Sequence, residues 1–153
     1  MSTRKPIDFG ILLNLAFGSF KERLHDHLAD RGFDDLGPSF GYVFRFLESG
    51  PHSLRQVADL LQITPQGALK IINDMVNKGY VRRGDDDRDG RTKPLVLTDR
   101  AIAVLRAARS FHRQFEADLK ARVGEMQATA VRAALEDIAS QSGIDHLRRL
   151  RPL

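Results

Sequence analysis

Between Ser53 and Thr98 the chain marks the ends of its own elements, and those marks restrict its fold more than any other feature. Ser53 stands three residues before Gln56, the spacing of a capping box, and opens a short helix whose apolar side holds Val57, Leu60 and Leu61. Ile63 and Thr64 turn the chain. Thr64 then caps a second helix with Pro65 at its first position, where the missing N–H costs nothing, and Gly79 closes that helix after Lys78. Two short strands follow, Tyr80 to Arg83 and Leu95 to Leu97, around the turn signal Asp89-Gly90. Pro94 makes the second strand an edge or a late starter.

The helix after the turn is two-faced. Ala68, Ile71, Ile72, Met75 and Val76 form an inward side, while Gln66, Lys70, Asn73 and Asn77 form an outward stripe at spacings of four, three and four. Amide side chains can pair bidentately with adenine, and a lysine can reach guanine acceptors or phosphate, so the stripe suits a major-groove edge. Taken alone, it is equally an ordinary solvated helix face.

Long helices flank this stretch. From Ile7 to about Arg31, Leu13, Phe17, Phe20, Leu24 and Leu28 recur three or four apart. Ile7, Phe9, Ile11, Leu12, Leu15 and Ala16 carry apolar surface round the other sides. A helix apolar nearly all round must be covered on more than one side, by the chain's own core or by a partner subunit. Gly37 and Pro38 precede a helix capped by Ser39, with Tyr42, Val43, Phe46 and Leu47 as its apolar side to about Ser49. Thr98 opens a long helix to about Val123 with a stripe of Ile102, Leu105, Ala108, Phe111 or His112, Phe115 and Leu119. After Gly124 a last helix runs from about Gln127 to Ser140, with Ala130, Val131, Ala134, Leu135 and Ile138 inward. Ile144, Leu147 and Leu150 suggest one more amphipathic turn.

With 153 residues the expected organisation is a single domain over 1–153. The formal charge of +4 favours an anionic partner, and Arg82, Arg83, Arg88, Arg91 and Lys93 concentrate it on the hairpin. Without cysteine there are no disulfides, thiolate metal sites or thiol redox switches. The apolar segment near the start is too short to span a bilayer and lacks a small-residue cleavage site, which makes a cytoplasmic protein the expectation. No glycine-rich phosphate loop or nucleophile elbow is present, and the histidines are scattered, so neither an enzyme nor a cofactor is expected. Asp85, Asp87, Asp89 and Gly90 imitate the start of a calcium loop. Its bidentate glutamate, however, would fall on Val96, and no metal site is assigned. A more economical role for Asp87 or Asp89 is to pair with Arg88, Arg91 or Arg83 and fix the direction of those arginines.

Helix, capped short helix, turn, capped helix and hairpin in this order make a winged helix-turn-helix, so the fold class is mainly α with a small β-hairpin wing. Three stretches carry a more specific likeness: LRQVADLLQITPQGALKIINDMVNKGYVRR, the wing DDDRDGR, and LVLTDRA. With its flanking helices the chain resembles the MarR family of bacterial transcription regulators. The resemblance implies a homodimer held by helices at 5–32 and 99–153. Winged lobes at 36–98 would then be presented to a pseudo-palindromic double-stranded DNA site, with repression as the outcome. It further implies that Gln66, Lys70 and Asn73 read base edges, with Gly67 allowing close approach. Thr64, Ser53, Arg55 and Gln56 would meet phosphate, and Arg88, Arg91 and Lys93 would lie along the minor groove.

Many members of that family are released from DNA by small aromatic or phenolic effectors. Here Phe17, Phe20, Phe44, Arg45 and His112 are the candidate lining, and core packing is the other reading of the same aromatics. A winged module that binds protein instead of specific DNA is the alternative function.

Overall fold

The computed structural model describes residues 6–85 and 93–141. Asp87, Arg88, Asp89 and Arg91, the turn at Gly90, and the apolar positions Ile144, Leu147 and Leu150 lie outside the described residues. In chain order the elements are α1 (Phe9–Ala29), α2 (Phe40–Glu48), α3 (Leu54–Leu61), α4 (Pro65–Asn77), β1 (Val81–Arg83), β2 (Leu95–Leu97), α5 (Asp99–Val123) and α6 (Glu125–Ser140). This is the mainly α winged helix-turn-helix that the capping residues predict.

The caps account for the sharpness of the central segment. Ser53 Oγ accepts from the Gln56 amide at 3.2 Å while Gln56 Oε1 accepts from the Ser53 amide at 2.8 Å, a complete capping box. Thr64 Oγ1 accepts from the Gly67 amide at 3.1 Å. At the far end of α4, Gly79 has φ +77°, the Gly79 amide donates to Val76, and the Tyr80 amide donates to Met75. These are the two bonds of a Schellman motif, and Met75 and Tyr80 bury the apolar contact that goes with it.

β1 and β2 pair antiparallel, with Val81 opposite Leu97 and Arg83 opposite Leu95. β2 starts late and is an edge strand of a two-stranded sheet, covered on its outer side at one residue only. His52 exchanges backbone hydrogen bonds with Leu95 from its other side, so the loop before α3 adds one residue of a third strand.

The core lies between the winged lobe and the first half of α5. Phe40, Val43, Phe44 and Leu47 from α2, Val57 from α3, Ile72 and Met75 from α4, and Tyr80, Val81 and Leu95 from the hairpin pack on Ala101, Val104, Leu105 and Ala108. This corrects the phase expected for α2. Tyr42 is exposed and Phe46 only partly covered, whereas Phe40 and Phe44 are buried. Ser39 occupies the N-cap position in helical backbone conformation and makes no side-chain cap bond. The turn before α2 is fixed by packing instead. A methyl added at Gly37 would stand 2.6 Å from Cε1 of the buried Phe40 ring. Gly37→Ala is therefore expected to cost about 1 to 3 kcal/mol by overpacking, read as a lower urea midpoint at unchanged slope; an unchanged midpoint would show that the ring has room to move.

α1 runs antiparallel along α5, since Phe20 meets Phe111 and Phe115 while His27 Nε2 bonds the Ala107 carbonyl at 3.0 Å. Only Leu28 of α1 is fully buried. Phe17, expected on the inward stripe, is 62% exposed. On α6 the stripe expected to face inward is also uncovered. Val131, Leu135 and Ile138 are exposed, and only Ala128 is buried. Ile102 on α5 is exposed as well.

Candidate nucleic-acid interface

α4 presents the polar stripe as drawn from its spacing. Gln66, Lys70, Asn73 and Asn77 are all exposed, while Ala68, Ile72 and Met75 on the opposite side are fully buried. The helix cannot roll without exposing that apolar side, so the core holds the stripe's direction. At its N-terminus Thr64 uses Oγ1 as a cap acceptor and keeps its hydroxyl proton for an outside acceptor. Ser53 and Gln56 are in the same position: each gives an oxygen to the capping box, which leaves the Ser53 hydroxyl proton and the Gln56 amide protons free to donate. Arg55 is exposed beside them. Gly67 makes room for its own cap before it makes room for anything else, because an added Cβ would lie 3.3 Å from Thr64 Oγ1.

At the hairpin, Arg83 reaches back from β1 and donates from Nη2 to Asn73 Oδ1 at 3.3 Å. Lys93 is exposed at the neck, where the Gly84 amide donates to the Pro94 carbonyl at 2.6 Å and continues the ladder past the last strand residue. The structure thus brings Gln66, Lys70, Asn73 and Arg83 to one face, with Lys93 at the base of the wing tip.

A cluster that the sequence analysis did not find secures the lobe. Tyr80 Oη donates a short hydrogen bond to Asp35 Oδ1, and Arg100 Nη2 lies 3.1 Å from Tyr80 Oη and 3.3 Å from each Asp35 oxygen. The Arg100 guanidinium also stacks 4.6 Å from the Tyr80 ring centre. Burial, and then the Asp35 carboxylate, push the Tyr80 phenol up to about 12. Nearby, Thr98 Oγ1 lies 2.6 Å from the Gly79 carbonyl while capping α5, so one residue ties the end of α4 to the start of α5. On the other side Glu48 of α2 bridges Arg45 at 3.3 Å and Arg109 of α5. Burial works against ionising Glu48, yet the two guanidiniums outweigh it and hold its carboxyl below the usual range.

The expected effector cluster divides. Phe20 and His112 meet with ring centres 5.3 Å apart and planes tilted by 32°, and Arg45 lies close to His112. Burial first, and the Arg45 cation second, hold the His112 imidazole below its ordinary pKa; its Nε2 is buried with no hydrogen-bond partner among the described residues. Phe17 and Phe44 do not join them. Phe17 meets Lys21 in solvent, and Phe44 is sealed in the core against Phe40 and Tyr80. An open cavity of about 360 Å³ lies next to the Glu48–Arg109 bridge, walled by Leu47, Val96, Leu97 and Leu105.

Ser49 and His52 stand 3.1 Å apart, but the Ser49 hydroxyl donates to the Phe46 carbonyl at 2.7 Å, so His52 does not act on it as a base. Among the described residues no group of acidic, histidine or cysteine side chains could hold a metal, and no helix is long and apolar enough to cross a membrane.

Residues 35–92 match the family model described as MarR family. The winged segment is similar to that family. A search of curated proteins gave no match. Solved structures extend the likeness to the flanking helices of this chain. A mutant of MepR from S. aureus bound to an oligodeoxyribonucleotide is 19% identical, with a TM-score of 0.65 over 89% of this chain and 99% of that one. YusO from Bacillus subtilis is 16% identical, with a TM-score of 0.67 over 89% and 94%. A MarR family protein from Mycobacterium tuberculosis in complex with salicylic acid is 24% identical, with a TM-score of 0.58 over 90% and 99%. At these identities the likeness is one of fold.

Proposed function

We propose that this chain is a sequence-specific regulator of transcription, a repressor, that binds a pseudo-palindromic duplex as a cytoplasmic homodimer. One observation carries the reading: the exposed amide and lysine stripe of α4, held outward by a buried opposite face and flanked by an arginine-bearing wing. On this reading Gln66, Lys70 and Asn73 meet base edges, with Gly67 at the close approach. Thr64, Ser53, Arg55 and Gln56 donate to phosphate through the protons their caps leave free, and Arg88, Arg91 and Lys93 follow the minor groove. Asp87 and Asp89 orient the wing arginines. The lobe at 36–98 reads DNA, and the helices at 5–32 and 99–153 pair two copies. The oligonucleotide on the MepR relative supports the partner class.

Release by a small aromatic or phenolic ligand is a second part of the proposal, favoured by the buried unpartnered Nε2 of His112 beside Arg45 and Phe20. The salicylic acid on the mycobacterial relative is of that chemical class.

Selection of bound fragments from a random duplex pool tests the main reading. A two-fold motif is expected. Lys70→Ala should then lose about 1 to 3 kcal/mol of discrimination at one base step, whereas Arg91→Ala should weaken all duplexes alike and lower the salt slope by about one. A pool that yields no motif, with weak salt-independent binding, would point to a module that docks on protein instead.

A further inference from the structure

The contact between the wing and the reading helix bears on which base is read. Asn73 stands one turn beyond Lys70 on the exposed face of α4, and its side-chain oxygen accepts from Arg83 Nη2 at 3.3 Å. It is Arg83 and not Arg82 that makes this reach, because successive strand residues point to opposite sides and Arg83 shares the side of the buried Val81. The ladder fixes Arg83 opposite Leu95, so its backbone cannot slide along the strand.

An asparagine pairs with adenine bidentately by accepting from the N6 amino group through Oδ1 and donating to N7 through Nδ2. In this protein a cationic donor takes one of the two lone pairs of that oxygen, and charge-assisted bonds of this kind are the stronger ones. The guanidinium also places positive charge where adenine would bring its own N–H donors. What Asn73 offers most readily outward is therefore its two Nδ2 protons, because a second donor approaching the lone pair left on Oδ1 meets the guanidinium charge. Guanine, with acceptors at both N7 and O6, matches that pair of donors, and adenine matches half of it.

We propose that Arg83 is a positioning residue that biases Asn73 toward donating, so that the base step facing Asn73 is specified as guanine in preference to adenine. The proposal rests on the DNA-binding reading above and predicts something that reading does not.

Motif selection with the full-length protein, Asn73→Ala and Arg83→Met tests it. The step whose preference disappears in Asn73→Ala should be guanine in the unsubstituted protein. In Arg83→Met that step alone should lose its guanine preference or shift to adenine, by roughly tenfold, with the other steps and the salt slope unchanged. Both side chains are exposed, so the melting temperature should not move. Without DNA, the Asn73 side-chain amide resonances should shift in Arg83→Met. Adenine at that step in the unsubstituted protein would overturn the proposal, as would unchanged Asn73 resonances. A uniform affinity loss with a salt slope lower by about one would make Arg83 a phosphate contact and overturn its positioning role. If the unsubstituted protein selects no motif at all, the DNA-binding reading itself falls and takes this one with it.

Discussion

Under the proposed homodimer, Leu12→Glu combined with Leu15→Glu is expected to yield a monomer and to lower affinity for the selected two-fold site by about two to four orders of magnitude. Both side chains are exposed in the single chain, among a run in which Phe9 is 65%, Leu15 56% and Phe17 62% open to water. Soluble monomers rarely leave so continuous an apolar surface uncovered. The apolar stripe of α6, with Val131, Leu135 and Ile138 exposed, is the second such surface, and two copies can cover both together. Burying two carboxylates there without partners costs several kcal/mol each, enough to dissociate an ordinary dimer. The DNA consequence follows from geometry. Two linked lobes convert the second half-site into an intramolecular event, a gain of about 10² to 10⁴ that a monomer forfeits. Sedimentation and anisotropy titration read the two effects separately, and the monomer should keep its helical signal because neither leucine belongs to the chain's own core. A variant that remains dimeric with full affinity would place the interface elsewhere.

How far the sequence could be read depended on whether a signal was local. Ser53, Gln56, Thr64, Pro65 and Gly79 were legible because a cap is a bond between residues three to five apart, and each appears as expected. The phase of α2 was not. FGYVFRFLE satisfies helical spacing both as Phe40, Val43, Phe44 and Leu47 and as Val43, Phe46 and Leu47 with Tyr42, and only the tertiary neighbours Tyr80 and Leu105 decide between them. The α6 stripe was legible as apolar and was expected to face inward, and the single chain leaves Val131, Leu135 and Ile138 of it exposed. Periodicity marks a face that needs burial without saying which chain supplies the cover.

The cluster of Tyr80, Asp35 and Arg100 was invisible for a different reason. Its members are 20 to 65 residues apart and share no motif. In the candidate site the α4 stripe was readable from spacing. That Asn73 would be engaged by Arg83 was not, since it depends on how the hairpin crosses the helix.

Phe44→Ala is expected to be the most damaging single substitution, at about 3 to 5 kcal/mol. The aromatics proposed from sequence as an effector lining differ most in this respect. Phe44 is 1% exposed and packs edge-on against Phe40 at 6.1 Å and Tyr80 at 5.5 Å between ring centres. Its ring fills the space where α2, the hairpin and α5 meet. Truncation would leave a cavity bounded by rigid helices and a Schellman turn, which can collapse only in part. A domain of this size has roughly 5 to 15 kcal/mol of stability in total, so the variant should lie near the edge of folding at growth temperature. Phe20→Ala, at a half-covered ring packed at a tilt against His112, should cost less and act first on any aromatic ligand. Urea unfolding followed by circular dichroism, with ligand titration of both variants, separates the two roles. If Phe44→Ala costs under about 1 kcal/mol while abolishing ligand binding, Phe44 is part of the pocket and its place at the centre of the core has been misjudged.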